Sequence, residues 1–175
     1  MNVDEILVAE GTEYAIRNTA PVVVRPTKAD VPSLVALVNA YALRGDLLPR
    51  SEASIRETLG DWVIGKVGDT VIACGSLLMY SPVLAEVRSL AVADAAQGTG
   101  LGRQVVQALL DEARVRKVPT VFALTRVVGF FERMGFMVTE KEFFPQKVWN
   151  DCAVCPLKDD CDETAVVLEL AINNE

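Results

Sequence analysis

The chain reads as an α/β domain, a mixed sheet with helices on both faces. Three features point there. Apolar runs with the two-residue period of strands recur along the sequence, and runs at helical spacing stand between them. A glycine-rich turn, Gln97-Gly98-Thr99-Gly100-Leu101-Gly102, links one of the strands to one of the helices.

Taken in order, residues 1–20 show no clear period and read as an N-terminal arm, which leaves 21–175 as a single domain. Val22-Val23-Val24-Arg25 reads as a strand. Thr27 stands at a helix N-cap with Asp30 three residues on, an Asp version of the capping box, and Pro32 suits the first turn. Val31, Leu34, Val38 and Tyr41 follow at helical spacing, and Gly45 marks the stop. Ser51 caps a short second helix that presents Ile55 and Leu59 before Gly60. Trp62–Val67 and Val71–Leu78 read as strands joined by a hairpin turn at Gly68-Asp69-Thr70. A strand over Ala85–Ala93 leads into the glycine turn and a helix from Arg103 to about Lys117. Its Val105, Leu109, Ala113 and Arg116 repeat at helical spacing. Thr120–Thr125 is a strand, Val128–Met134 a helix, and Thr164–Ala171 a closing strand.

Composition narrows the function. Apolar residues make up 51% of the 175 against 23% charged, which is the balance of a packed domain. No apolar run reaches the length of a membrane span, no basic-then-apolar leader opens the chain, and cytoplasm is the expected compartment. A formal charge of −7 disfavours nucleic acid and anionic membranes as partners. There is no histidine, which removes His-based triads, HExxH metal sites and His general bases together.

The glycine turn is an anion site in outline. Glycines let the backbone approach a ligand, and the first N–H groups of the following helix point at it along the positive end of the helix dipole. The P-loop pattern requires Lys and then Ser/Thr after its last glycine, where Arg103-Gln104 stand. The dinucleotide fingerprint requires a glycine spacing different from Gly98, Gly100 and Gly102.

The Q-x-x-G-x-G form behind Leu90-Ala91-Val92 resembles the acetyl-CoA pyrophosphate loop of GNAT-fold N-acetyltransferases. Phe130-Phe131-Glu132-Arg133-Met134-Gly135-Phe136 is similar to that family's late helix, with Gly135 as its C-terminal glycine. The segments 45–51, 72–75, 86–92, 124–126 and 144–150 further resemble the acetyltransferase domain of N-acetylglutamate synthases, over roughly residues 22–172. The resemblance implies the GNAT fold: a central, mixed, mostly antiparallel sheet of about seven strands with a splayed parallel pair, Glu86–Val92 and Thr120–Thr125. It implies acetyl-CoA as cosubstrate and acetyl transfer by direct attack of the α-amine of L-glutamate, the first step of arginine synthesis. Pantetheine would pair with the backbone around Leu90 and Val92, the thioester carbonyl would meet the Leu90–Ala91 amides, and the pyrophosphate would lie on Gly98, Thr99, Gly100, Leu101, Gly102 and Arg103, with Gln97 opening the loop. The longer synthases carry a further amino-acid-kinase-like domain that houses arginine feedback, so arginine control of this chain would need another site or a partner.

The amine must lose a proton, and without histidine a carboxylate is the usual base. Glu86 is the candidate, with a salt bridge to Arg88 as its plainer role. A dicarboxylate acceptor calls for cations, for which Arg50, Arg88, Arg126 and Lys147 are the candidates. Many relatives place a Tyr general acid where this chain has Phe131. Water, Tyr41 or Tyr80 would then supply that proton. Cys152, Cys155 and Cys161 lie in a loop at about 150–162 and suggest a structural zinc, with Asp151, Asp160, Asp162 or Cys74 as fourth ligand. Reduced thiols or a disulfide are the alternatives. Other acceptors remain open (another amino acid, a polyamine or a protein amine), as does a non-catalytic acyl-CoA or metal-responsive binding module. Related folds often pair through edge strands, so a homodimer through the last strand is an open arrangement.

Overall fold

The computed structural model describes residues 19–144 and 151–172. Seven strands form one mixed sheet: β1 (Val22–Val24), β2 (Trp62–Val67), β3 (Thr70–Ser81), β4 (Leu84–Val92), β5 (Thr120–Thr125), β6 (Met137–Thr139) and β7 (Thr164–Glu169), in the order β1-β2-β3-β4-β5-β7-β6. The β1–β2, β2–β3, β5–β7 and β6–β7 pairs are antiparallel, and β4–β5 is the parallel pair. The helices are α1 (Val31–Leu43), α2 (Glu52–Glu57), α3 (Leu101–Val115) and α4 (Val128–Glu132). Among the described residues no helix is long and apolar enough to cross a membrane.

The chain divides into two compact units. One takes the described residues up to Ser76 together with Ser89–Leu109, the other Leu77–Arg88 together with the residues from Leu110 on. In the first, the local signals act as written. The Thr27 N–H and hydroxyl both donate to Asp30 Oδ2, at 2.8 and 3.0 Å, ahead of a single 3-10 turn that runs into α1. Asp30 is buried and takes a 2.7 Å ion pair from Lys66, whose hydrogen bond is the main cause holding its carboxyl below the usual range. The Ser51 hydroxyl accepts from Ser54 N–H to cap α2. Val31, Leu34, Val38 and Tyr41 form the buried stripe of α1 against Ile55, Trp62, Ile64, Val71, Cys74 and Ala91.

Two strand glycines set the seat of α3. A Cβ at Gly65 would lie 2.9 Å from Leu101 Cδ1, and one at Gly75 would lie 3.0 Å from Leu109 Cδ1 and 3.2 Å from Val105 Cγ1. The helix thus reaches a distance from β2 and β3 that any larger residue would disturb. In the second unit, Phe122, Phe144 and Ala165 form a core joined by Tyr80, Leu84, Leu124 and Val167. Gly135, at φ +94°, ends the turn after α4 while Phe136 N–H bonds Phe131 O at 3.1 Å.

Several boundaries differ from the sequence reading. β3 runs on to Ser81, α3 begins at Leu101, and α4 stops at Glu132. The strand β6, which the sequence reading does not identify, is three residues long and mostly exposed, so it has no alternating apolar face. The arm at 1–20 falls outside the described residues except for its last two.

Candidate functional site

In the first unit, Gly98 and Gly100 sit at φ +75° and +87°, where L side chains are strained, and a Cβ on either would meet nothing within 4 Å. Conformation, not crowding, is what requires glycine there. The first i→i−4 bond of α3 is Gln104 N–H to Gly100 O at 3.1 Å, which leaves the N–H groups of Leu101, Gly102 and Arg103 outside the helical ladder. Leu101 is buried while Thr99, Gly100 and Arg103 are exposed, so the turn is anchored at Leu101 and open to solvent on either side of it. This geometry suits a pyrophosphate.

The turn is braced from behind. Gln97 Nε2 donates to Val92 O at 3.0 Å and to Asp94 Oδ1 at 3.2 Å, while the Tyr41 hydroxyl donates to Val92 O and lies 3.2 Å from Asp94 Oδ1. Arg44 holds the same carboxylate through two 3.0 Å contacts, and Thr99 Oγ1 donates to Ala96 O at 2.6 Å. Burial pushes the Tyr41 phenol up from its ordinary value. Gln97 and Tyr41 therefore hold the loop. The Val92 carbonyl, expected to pair with pantetheine, is bonded by both of them.

The β4–β5 ladder covers only Leu84–Glu86 against Thr120–Phe122. Further along β4, Ser89 takes φ +54°, a left-handed conformation uncommon outside glycine, and the strand alternation breaks there. Cys74 pins this break: its thiol donates to Ser89 O at 3.4 Å, and the Ala91 N–H is its other backbone partner. Full burial pushes the Cys74 thiol up to about 12, so it stays protonated and is no nucleophile.

In the second unit, Glu86 is only 1% exposed, yet its Oε2 accepts from the Tyr80 hydroxyl at 2.8 Å. The Tyr80 ring lies 5.7 Å from Phe122, which stacks on Phe144 at 3.9 Å, so the carboxylate's donor is fixed in an apolar wall. Burial, then the Glu86 charge, push the Tyr80 phenol well above its ordinary value. Arg88 follows two residues on along β4. Its Nη1 binds Asp151 Oδ2 at 3.1 Å, with both side chains mostly buried. Phe131, standing where relatives carry a Tyr, is packed edge-on against Phe130 and Phe136.

Each of the remaining expected residues is described within its own unit. Arg50 belongs to the first unit, where its backbone exchanges two hydrogen bonds with the Asn39 side chain at 3.0 and 3.1 Å. It lines an open depression of about 590 Å³ with Asn39, Ala42, Leu43, Pro49 and Ser51. Arg126 is in the second unit and binds Asp162 Oδ1 at 2.7 Å near the surface. Lys147 lies outside the described residues. The expected zinc finds no support: among the described residues no three His, Cys, Asp or Glu side chains converge to hold a metal. Cys152, Cys155 and Cys161 form no disulfide, and Cys161 Sγ instead accepts from Lys141 Nζ at 3.1 Å. Two of the suggested fourth ligands, Asp151 and Asp162, are engaged by arginines. Sequence reasoning missed Asp151 as the partner of Arg88, and no local signal links positions 63 residues apart.

Comparison with known proteins agrees with this geometry. Residues 36–136 match the model of the Acetyltransferase (GNAT) family. An uncharacterized N-acetyltransferase of Chlorobaculum tepidum is 41% identical over 145 residues, 81% of this chain and 92% of that protein. An amino-acid acetyltransferase of Mycobacterium tuberculosis is 35% identical over 127 residues, 71% of this chain and 72% of its own. Among solved structures, a Mycobacterium tuberculosis protein in complex with CoA aligns with a TM-score of 0.73 at 30% identity, over 86% of this chain and 100% of that one. The N-acetylglutamate synthase of Neisseria gonorrhoeae, complexed with coenzyme A and N-acetyl-glutamate, shares the fold with a TM-score of 0.75 at 22% identity. That match spans 88% of this chain and 36% of the synthase. The chain therefore belongs to the acetyltransferase (GNAT) family and is an acetyl-CoA-dependent N-acetyltransferase.

Proposed function

We propose that the chain transfers the acetyl group of acetyl-CoA to the α-amine of L-glutamate, as an N-acetylglutamate synthase working in the cytoplasm. The observation that carries this reading is the buried Glu86 carboxylate, held by Tyr80, in a chain with no histidine. Relatives named amino-acid acetyltransferase and the fold shared with a synthase bound to N-acetyl-glutamate support the acceptor.

The residues divide the work. The N–H groups of Leu101, Gly102 and Arg103 hold the pyrophosphate, and Gly98 and Gly100 give the backbone its approach. Glu86 takes a proton from the acceptor ammonium. The freed amine attacks the thioester carbonyl, the nitrogen sheds its second proton to solvent as the C–S bond breaks, and CoA leaves as a thiolate that solvent protonates. Phe131 has no proton to give and Tyr41 is committed to the loop, so no described tyrosine on α1 or α4 serves as general acid. Arg50, Arg88, Arg126 and Lys147 are the cations proposed for the acceptor carboxylates, which a guanidinium binds in two-pronged fashion.

One observation favours a neighbouring reading. Arg88 and Arg126 already face Asp151 and Asp162, and a monocarboxylate amino acid asks for fewer cations than glutamate does. CoA release from acetyl-CoA, measured across the amino acids, polyamines and a buffer blank, separates the two. Turnover confined to glutamate supports the proposal. Turnover with a neutral amino acid keeps the chemistry and replaces the acceptor, and acetyl-CoA binding without turnover on any acceptor overturns it.

A further inference from the structure

We propose that Tyr80 is a positioning residue for the general base: it fixes the Glu86 carboxylate and keeps it ionised in an apolar surround. The inference rests on Glu86 being the base. A carboxylate that is 1% exposed has lost most of its water, and desolvation favours the protonated form, which cannot accept a proton. A hydroxyl donating to the charged form acts the other way. Tyr80 Oη donates to Glu86 Oε2 at 2.8 Å, the length of a good O–H···O bond.

The donor is itself held. Tyr80 extends from β3 into the core of Phe122, Phe144 and Ala165, and Phe122 sits across the parallel ladder from Glu86. The ring cannot swing away without opening that apolar cluster. Burial and the adjacent carboxylate hold the phenol far above its ordinary value, so Tyr80 keeps its proton throughout the working range. It is a fixed donor, not a second base. Besides Glu86, the charged groups bearing on Tyr80 include Arg88, on the strand of Glu86, and Asp151 from the segment ahead of the cysteine turn, which bind each other. Their opposite charges offset one another, and the Tyr80 hydroxyl is a donor from β3 that favours the ionised carboxylate.

The test is the pH profile of kcat/KM for Tyr80→Phe, which keeps the ring and removes the donor. Glu86 works when ionised, so activity rises with pH through its apparent pKa. Losing a hydrogen bond to a charged group should move that acid limb up by about one to two pH units, a 10- to 100-fold loss at low pH. On the alkaline plateau the variant should approach the parent. An acid limb that stays in place, or a loss equal at all pH, overturns the inference. Site-specific 3-fluorotyrosine at position 80 strengthens the donor and should move the limb down, a second reading should the phenylalanine variant fail to fold. Glu86→Gln keeps the two proposals apart. Full activity there removes Glu86 as base and this inference with it, whereas an inactive Glu86→Gln beside an unmoved Tyr80→Phe limb overturns the inference alone.

Discussion

The glycine turn ahead of α3 and the cluster around Glu86 solve opposite problems. The turn, proposed to meet an anion with backbone N–H groups, is an exposed loop, and the side chains near it, Gln97, Tyr41, Asp94 and Arg44, work from behind as braces. The Glu86 cluster buries a carboxylate, a phenol and an ion pair and depends on each side chain meeting its partner. A backbone site is sensitive to conformation and tolerant of neighbouring side chains. A side-chain site in low dielectric is sensitive to the loss of any single atom that carries a proton or a charge.

The largest effect expected from that contrast is on Glu86→Gln. It should lower kcat by roughly 10²- to 10⁴-fold, the usual weight of a general base, while acetyl-CoA affinity by calorimetry stays unchanged. A parallel loss of affinity would show that the two regions are not separable. Next is Gly100→Ala. Forcing a Cβ into φ +87° costs about 1–2 kcal/mol, so KM for acetyl-CoA should rise roughly tenfold with kcat near the parent value at saturation. An unchanged KM would mean that the turn does not carry the cofactor.

How much of each region could be read beforehand follows from the same contrast. Gly98, Gly100, the Thr27–Asp30 cap and the Ser51 cap act within a few residues of themselves, so their spacing alone announces them. Tyr80–Glu86 also joins near neighbours, but the bond needs a hairpin whose extent, to Ser81, the apolar pattern did not give. Arg88–Asp151 depends on a return of the chain that no local pattern encodes. For the same reason Asp151 looked like a metal ligand beside Cys152. The left-handed Ser89 was hidden as well, because serine carries no signal for it as glycine would.

Two smaller effects sharpen the picture. Asp151→Ala strands the mostly buried Arg88 guanidinium and should cost about 1–3 kcal/mol in urea unfolding; an unchanged midpoint would mean the pair is idle. Arg44→Ala removes a pair of which both partners are at least half exposed. Its stability change should be the least of the set and should vanish at high ionic strength, whereas a large, salt-insensitive loss would show that the brace is part of the core.

The missing side chain of Gly65 reaches further than its place on β2 suggests. A methyl group there would press on Leu101, the first residue of α3, whose own N–H is among the donors proposed for the pyrophosphate. The position works as a remote adjuster. Directed variation confined to residues that touch a ligand would never sample it, yet Gly65→Ala presses on the residue that opens α3 from the opposite end of its side chain. A library meant to retune this protein for a different acyl carrier gains by including position 65.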